Sequence, residues 1–79
     1  MKIKLSRQPE KYLAKVPADV REKLLRCIDD ISELKGDIQP LAIGGYRYKI
    51  HHYRIIFSID RPNDTACIIE INTRSNIKY

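Results

Sequence analysis

Long apolar runs are missing from this chain: no stretch approaches the roughly 18 residues that a membrane-spanning helix needs. The opening Met1-Lys2-Ile3-Lys4-Leu5 alternates instead of forming the apolar block of a secretion signal. A cytoplasmic protein without a membrane partner is therefore expected. Only two cysteines occur, Cys27 and Cys67, far apart and without Cys-x-x-Cys spacing. That excludes a disulfide scaffold or a zinc knuckle, and both are read as small buried hydrophobes. With three glycines in total there is no phosphate-cradling glycine loop. Nor is there a Ser/His/Asp arrangement. The adjacent His51 and His52 are badly spaced to share a metal, and no cysteine or acidic pair completes such a site. Metal, redox and cofactor chemistry thus find no motif, and no cofactor is expected. Nothing resembles a linker, a repeat or a low-complexity tract.

What the chain does have is charge and alternation. Of its 79 residues 15 are Lys or Arg and 10 are Asp or Glu, a formal net charge of +5. A basic domain of this size suits nucleic acid, an acidic protein partner, or simply a soluble surface. The length fits one domain, residues 1–79, with a small core.

Residues 2–6 read as a short strand. A helix then begins at Ser6 or Gln8, with Pro9 in its first turn, where a missing N–H does no harm. Tyr12, Leu13 and Val16 form its apolar stripe. After Pro17 a second helix starts near Ala18-Asp19. Val20, Leu24, Ile28, Ile31 and Leu34 recur at helical spacing and predict that it runs to about Lys35, ended by Gly36. Its outer face, including Arg21, reads as solvated surface. Asp37–Gly45 is expected to be a loop, and Asp60–Asp64 a turn before a last strand over Thr65–Thr73.

Between them lies the most informative stretch, residues 46–59. Alternation places Tyr46, Tyr48 and Ile50 on one face and Arg47 and Lys49 on the other. Tyr53, Ile55, Phe57 and Ile59 continue the apolar face. A two-residue turn at His51-His52 would pair 50 with 53, 49 with 54, 48 with 55 and 47 with 56. The tyrosines then point inward, and Lys49 stands directly opposite Arg54 with Arg47 nearby. Like charges opposed on a sheet are destabilising, so an anion, phosphate above all, is the expected occupant. For the last strand, pairing 59 with 65 puts Cys67, Ile69 and Ile71 in the core. It leaves Ile68, Glu70, Asn72 and Arg74 on the cationic face, with Glu70 opposite Arg54.

The order predicts an α+β fold, two helices on one face of a small antiparallel sheet (β-α-α-β-β-β), the polar face open. That face collects Arg47, Lys49, Arg54, Glu70 and Arg74, with His51, His52, Lys78 and Tyr79 nearby. RNA cleavage needs a base for the 2′-OH, positive charge on the phosphorane-like transition state and help for the leaving 5′-oxygen. Lys49, crowded by cations, is a candidate base; Glu70 is another, or else a neutralising partner for Arg54. Arg47 and Arg54 suit forked phosphate contacts. His51 and His52 are either acid and base or simply the turn. Tyr79 could stack on a base.

Across its whole length the chain resembles the RelE/ParE superfamily of type II toxin–antitoxin systems. The likeness rests on Glu10–Pro17 followed by Val20-Arg21, on Gly45–Ile50, on Tyr53–Asp60 and on Ile71–Ile77. Tyr53-Arg54-Ile55-Ile56-Phe57 after a tight turn is the most specific element. It implies a microbial-RNase-like fold and, in the favoured RelE branch, metal-independent cleavage of mRNA on the ribosome. The basic residues of that branch fall on Arg47, Lys49, Arg54 and Arg74, with Lys78 among the RNA contacts and Tyr79 nearest a C-terminal aromatic. Where many members have a histidine and a second arginine near the end, this chain has Thr73–Tyr79, and His51 or His52 could take over the acid role. The implied partners are an antitoxin that covers or distorts the basic face, the ribosome and mRNA, with operator DNA reached only through the antitoxin. Two alternatives stand beside it: a ParE-like gyrase inhibitor without nuclease activity, and a non-catalytic basic binding module.

Overall fold

In the computed structural model, which describes residues 1–77, the alternating start forms β1 (Lys2–Leu5), followed by α1 (Arg7–Lys15) and α2 (Ala18–Ser32). Four strands complete the chain: β2 (Ile38–Pro40), β3 (Tyr46–Ile50), β4 (Tyr53–Asp60) and β5 (Thr65–Thr73). They make one five-stranded sheet in the order β1-β5-β4-β3-β2. Both helices lie on one face. Leu13, Leu24, Cys27, Ile28 and Ile31 meet Tyr48, Ile55, Phe57, Ala66, Ile68 and Ile71 in the core. Among the described residues no helix is long and apolar enough to cross a membrane.

The α+β architecture is as expected, but the sheet is mixed. β1 runs parallel to β5, with Ile3 beside Ala66 and Leu5 beside Ile68, so four apolar residues share the helix-covered face. The loop expected over Asp37–Gly45 contains the short edge strand β2, where Ile38 pairs with Tyr48, Gln39 with Arg47 and Pro40 with Tyr46. A proline is tolerated there because an edge strand leaves one row of N–H positions unpaired. Three residues with a proline carry too weak an alternation to read as a strand.

The β3–β4 hairpin has the expected register throughout, from Tyr46–Phe57 to Ile50–Tyr53. His51 takes the left-handed conformation (φ 50°), as a tight turn requires. The last hairpin differs. Asp60 pairs with Thr65 and Phe57 with Ile68, and the register then shifts so that Ile56 pairs with Glu70. Ile69 is the extra residue of this β-bulge, and it stays 46% exposed. Cys67 is consequently half-buried away from the core, whereas Ala66 and Ile68 are fully buried. Beyond the bulge the expected phase returns, with Ile71 inside. One inserted residue reverses which neighbours face inward, and simple alternation cannot reveal it.

Helix α2 stops earlier than Gly36. Leu34 adopts a left-handed conformation (φ 55°), with its N–H bonded to the Ile31 carbonyl and that of Lys35 to the Asp30 carbonyl. This pair of bonds is the Schellman closure, usually made with glycine at the left-handed position. Leu34 is thereby 52% exposed and leaves the apolar stripe. Gly36 is needed for another reason: at φ 97° a Cβ there would lie 2.5 Å from the Tyr48 ring. Arg21, expected in solvent, instead donates from Nε to the Leu13 carbonyl (2.6 Å) and from Nη2 to that of Val16 (3.1 Å). It closes the C-terminal end of α1, where a cation suits the helix dipole.

Gln8 joins the helices to the sheet. Its amide donates to the Ile71 carbonyl (2.7 Å) and accepts from the Ile71 N–H (2.8 Å), continuing the β5 ladder where β1 has ended. Replacing Gln8 with Leu leaves both backbone groups without that partner, and chemical denaturation should record a loss of about 1–3 kcal/mol. Leu34→Gly should do the opposite. Relief of the left-handed strain is worth about 1 kcal/mol, and a thermal melt should move up by about 4–8 °C in a domain of this size.

Candidate RNA-binding and catalytic face

The face of the sheet opposite the helices carries Arg47 and Lys49 from β3, Arg54, Ile56 and Ser58 from β4, and Glu70 and Asn72 from β5. Its positions follow from strand pairing: Lys49 is directly opposite Arg54, and Arg47 is opposite Ile56. Asn72, not Glu70, stands across from Arg54 on the other side: the hairpin closes at Asp60–Thr65 instead of pairing 59 with 65, and the Ile69 bulge adds a second step, so Glu70 faces Ile56. The expected Glu70–Arg54 pairing is thus corrected. The two ion pairs among the described residues, Arg26–Glu22 and Lys35–Glu33, lie on and just after α2. Among the described residues no carboxylate is ion-paired with the cations of this face, although Glu70 lies on it.

Its members are held differently. Lys49 is exposed. Arg47 is half-buried, its Nη2 bonded at 2.8 Å to Oε1 of Gln39, its partner across the β2–β3 pairing. Arg54 is only 7% exposed. Its Nη1 donates to the carbonyls of His51 and Tyr53, both at 2.8 Å. A guanidinium remains charged under these conditions. Arg54 therefore supplies a fixed positive charge directly across from Lys49 while bracing the turn, in place of the freely reaching clamp expected from the sequence. Little water screens it, so its field at the surface is stronger than that of an exposed cation.

Arg74 is exposed just past the end of β5, and its N–H donates to the His52 carbonyl (2.7 Å). That bond brings Arg74 to the end of the sheet where Lys49 and Arg54 stand. His51 is exposed at the tip of the turn. The His52 ring lies 4.4 Å from that of Tyr53, a residue packed against the core on the helix-covered side. Lys78 and Tyr79 lie outside the described residues.

Tyr48 is buried, and Tyr46 and Tyr53 pack against the core, as the alternation requires. Tyr46 stacks on Phe57 with ring centroids 5.4 Å apart. The Tyr48 hydroxyl donates to Oδ2 of Asp30 (2.9 Å). Burial pushes this phenol well above its ordinary range, assisted by the Asp30 carboxylate and by Cys27. Burial likewise pushes the Cys27 thiol up, which keeps it a core hydrophobe. Gln39 is the site residue that the sequence did not disclose. Its role depends on recognising β2, and a three-residue edge strand carries almost no periodic signal.

Two helices on one side of a mixed five-stranded sheet, with cationic residues gathered on the other side, define an α+β class of small domain. Its fold is that of RelE–RelB assemblies. The structure resembles a chain of the toxin–antitoxin complex RelBE2 from Mycobacterium tuberculosis, with TM-score 0.77 and 19% identity over 92% of this chain and 96% of that one. It also resembles a chain of the archaeal RelE–RelB complex from Pyrococcus horikoshii OT3, with TM-score 0.77 and 22% identity over 96% and 97%. No family model matches the sequence, and no curated protein does.

The different anchoring of the two opposed cations has a measurable consequence. Arg54→Ala removes a buried side chain and the brace on the turn, and should lower unfolding free energy by about 2–3 kcal/mol. Lys49→Ala, at an exposed position, should stay within about 0.5 kcal/mol of the parent in the same urea titration.

Proposed function

We propose that this protein is the toxin of a type II toxin–antitoxin pair and acts as a metal-independent, ribosome-dependent mRNA endonuclease. The observation that carries this reading is the Lys49–Arg54 opposition on the sheet face away from the helices, where no carboxylate among the described residues is ion-paired with either cation. Arg47 and Arg74 flank it in a fold shared with RelE–RelB complexes. Such a face is organised for a phosphodiester.

In the proposed reaction the 2′-oxygen loses its proton and attacks the adjacent phosphorus. The bond to the 5′-oxygen breaks, leaving a 2′,3′-cyclic phosphate on one fragment and a 5′-hydroxyl on the other. Lys49 acts as the base or holds a non-bridging oxygen as negative charge accumulates. Arg47, kept in place by Gln39, contacts a second oxygen, and Arg54 contributes its fixed field from across the strand pair. Arg74 stabilises the departing oxygen, with His51 as the proton donor. Each of these contacts strengthens as charge develops, which is what accelerates the step. The ribosome would present the message in a suitable geometry, so modest intrinsic chemistry suffices. An antitoxin covering this face would both shield its charge and exclude RNA.

The test is primer extension on mRNA in a purified translation system, with the parent protein, Lys49→Ala and Arg74→Ala. Both substitutions are at exposed positions, so folded protein should be retained. Ribosome-dependent breaks within codons are expected from the parent and should fall at least about 100-fold in each variant. Intact message with translation continuing would overturn the nuclease reading. Cleavage of DNA in a gyrase assay would then assign the fold to gyrase inhibition.

A further inference from the structure

A second cationic surface lies outside the sheet. Arg7, Lys11 and Lys15 are spaced by four residues along α1, all three exposed. They stand on one helix face at steps of about 6 Å. With Gln8 and Tyr12 they line a groove of about 380 Å³. Gln8 is committed to the β5 backbone and forms part of its wall. Glu10 is the sole acidic residue of α1, and it does not pair with any of the three cations. The cations of α2 contrast with this, since Arg26 is paired with Glu22 four residues away.

Tyr12 and Tyr53 both pack against the core on the helix-covered side of the sheet. Burial, with a smaller contribution from Tyr53, pushes the Tyr12 phenol up. Tyr53 in turn carries the His52 ring, and the His52 carbonyl accepts from Arg74.

We propose that the α1 groove is a second binding track for single-stranded RNA, engaging the phosphates that flank the segment held on the sheet. Evenly stepped cations with an aromatic ring between them are the pattern that holds a single strand without reading its sequence. An acidic peptide would satisfy the charge, but it would not need the aromatic ring among the cations. The inference rests on the RNA-binding part of the function proposed above and is independent of whether the protein cuts.

The experiment measures anisotropy of a labelled, fully 2′-O-methylated oligouridine 12-mer, which has no free 2′-OH to attack, across a salt series. It compares the parent protein with Arg7→Gln/Lys11→Gln/Lys15→Gln. The charge-matched control is Lys23→Gln/Arg26→Gln/Lys35→Gln, and Lys49→Ala is a third variant. All substituted positions are exposed, and thermal melts verify folding. The α1 variant should bind at least about tenfold more weakly at 0.1 M salt, and its log–log salt slope should shrink by about 2, as expected for three lost phosphate contacts at about 0.7 each. The α2 control should keep the parental slope. An α1 variant with unchanged affinity and slope would overturn the proposal. So would equal losses in the α1 and α2 variants, which would reduce the effect to net charge. A labelled oligoglutamate that loses binding to the α1 variant while the RNA does not would assign the groove to an acidic protein instead. Should primer extension show no cleavage while the α1 effect persists, the catalytic reading alone would fail.

Discussion

A two-residue turn governs the rest of this molecule. With His51 in the left-handed conformation and Arg54 donating to the carbonyls of His51 and Tyr53, β3 and β4 have one register available. That register decides which side chains are sealed under the helices and which stand in solvent. A slip of β3 by one residue would expose Tyr46, Tyr48 and Ile50 and bury Arg47 and Lys49. The hydrophobic penalty for the slip thus protects the placement of the cations, and the electrostatic cost of opposing Lys49 to Arg54 is borne by the same packing.

Much of this was legible in residue order, for physical reasons. The β3–β4 stretch alternates without interruption, so its faces, its turn and the opposition of residues 49 and 54 could all be read directly. The α2 stripe was equally clear until its end. There the chain uses Leu34 where a glycine is usual, and the helix terminates before the glycine that seemed to mark it. The β5 reading failed at two places, the closure of the hairpin at Asp60–Thr65 and the bulge at Ile69, because Ala66, Ile68, Ile69 and Ile71 suit two alternations and only packing against Phe57 and Ile55 selects between them. β2 was invisible for want of length.

The site shows the same division. Positions were readable from period-two geometry, whereas anchoring was not. Nothing in the sequence distinguishes Arg54, nearly enclosed, from Lys49, freely exposed, although they are cross-strand neighbours. Nor does it reveal that Gln39 holds Arg47, or that the bulge removes Glu70 from Arg54. These depend on side-chain bonds and a register shift that alternation does not encode. By contrast, the spacing of Arg7, Lys11 and Lys15 was visible but uninformative until the groove beside them was seen.

The parallel pairing of β1 with β5 reaches beyond the site. Gln8 binds the backbone of Ile71, 63 residues away, and β1 lies along the far edge of the same strand. Contacts of such long sequence separation form late and slowly. During synthesis, the first strand and helix have no sheet to join until the final strand has left the ribosomal tunnel. The cationic face lacks its β5 side for the same interval. The sheet, and with it the cationic surface, is completed only once β5 is in place between β1 and β4. The order in which the polypeptide emerges acts as a built-in delay on its own assembly.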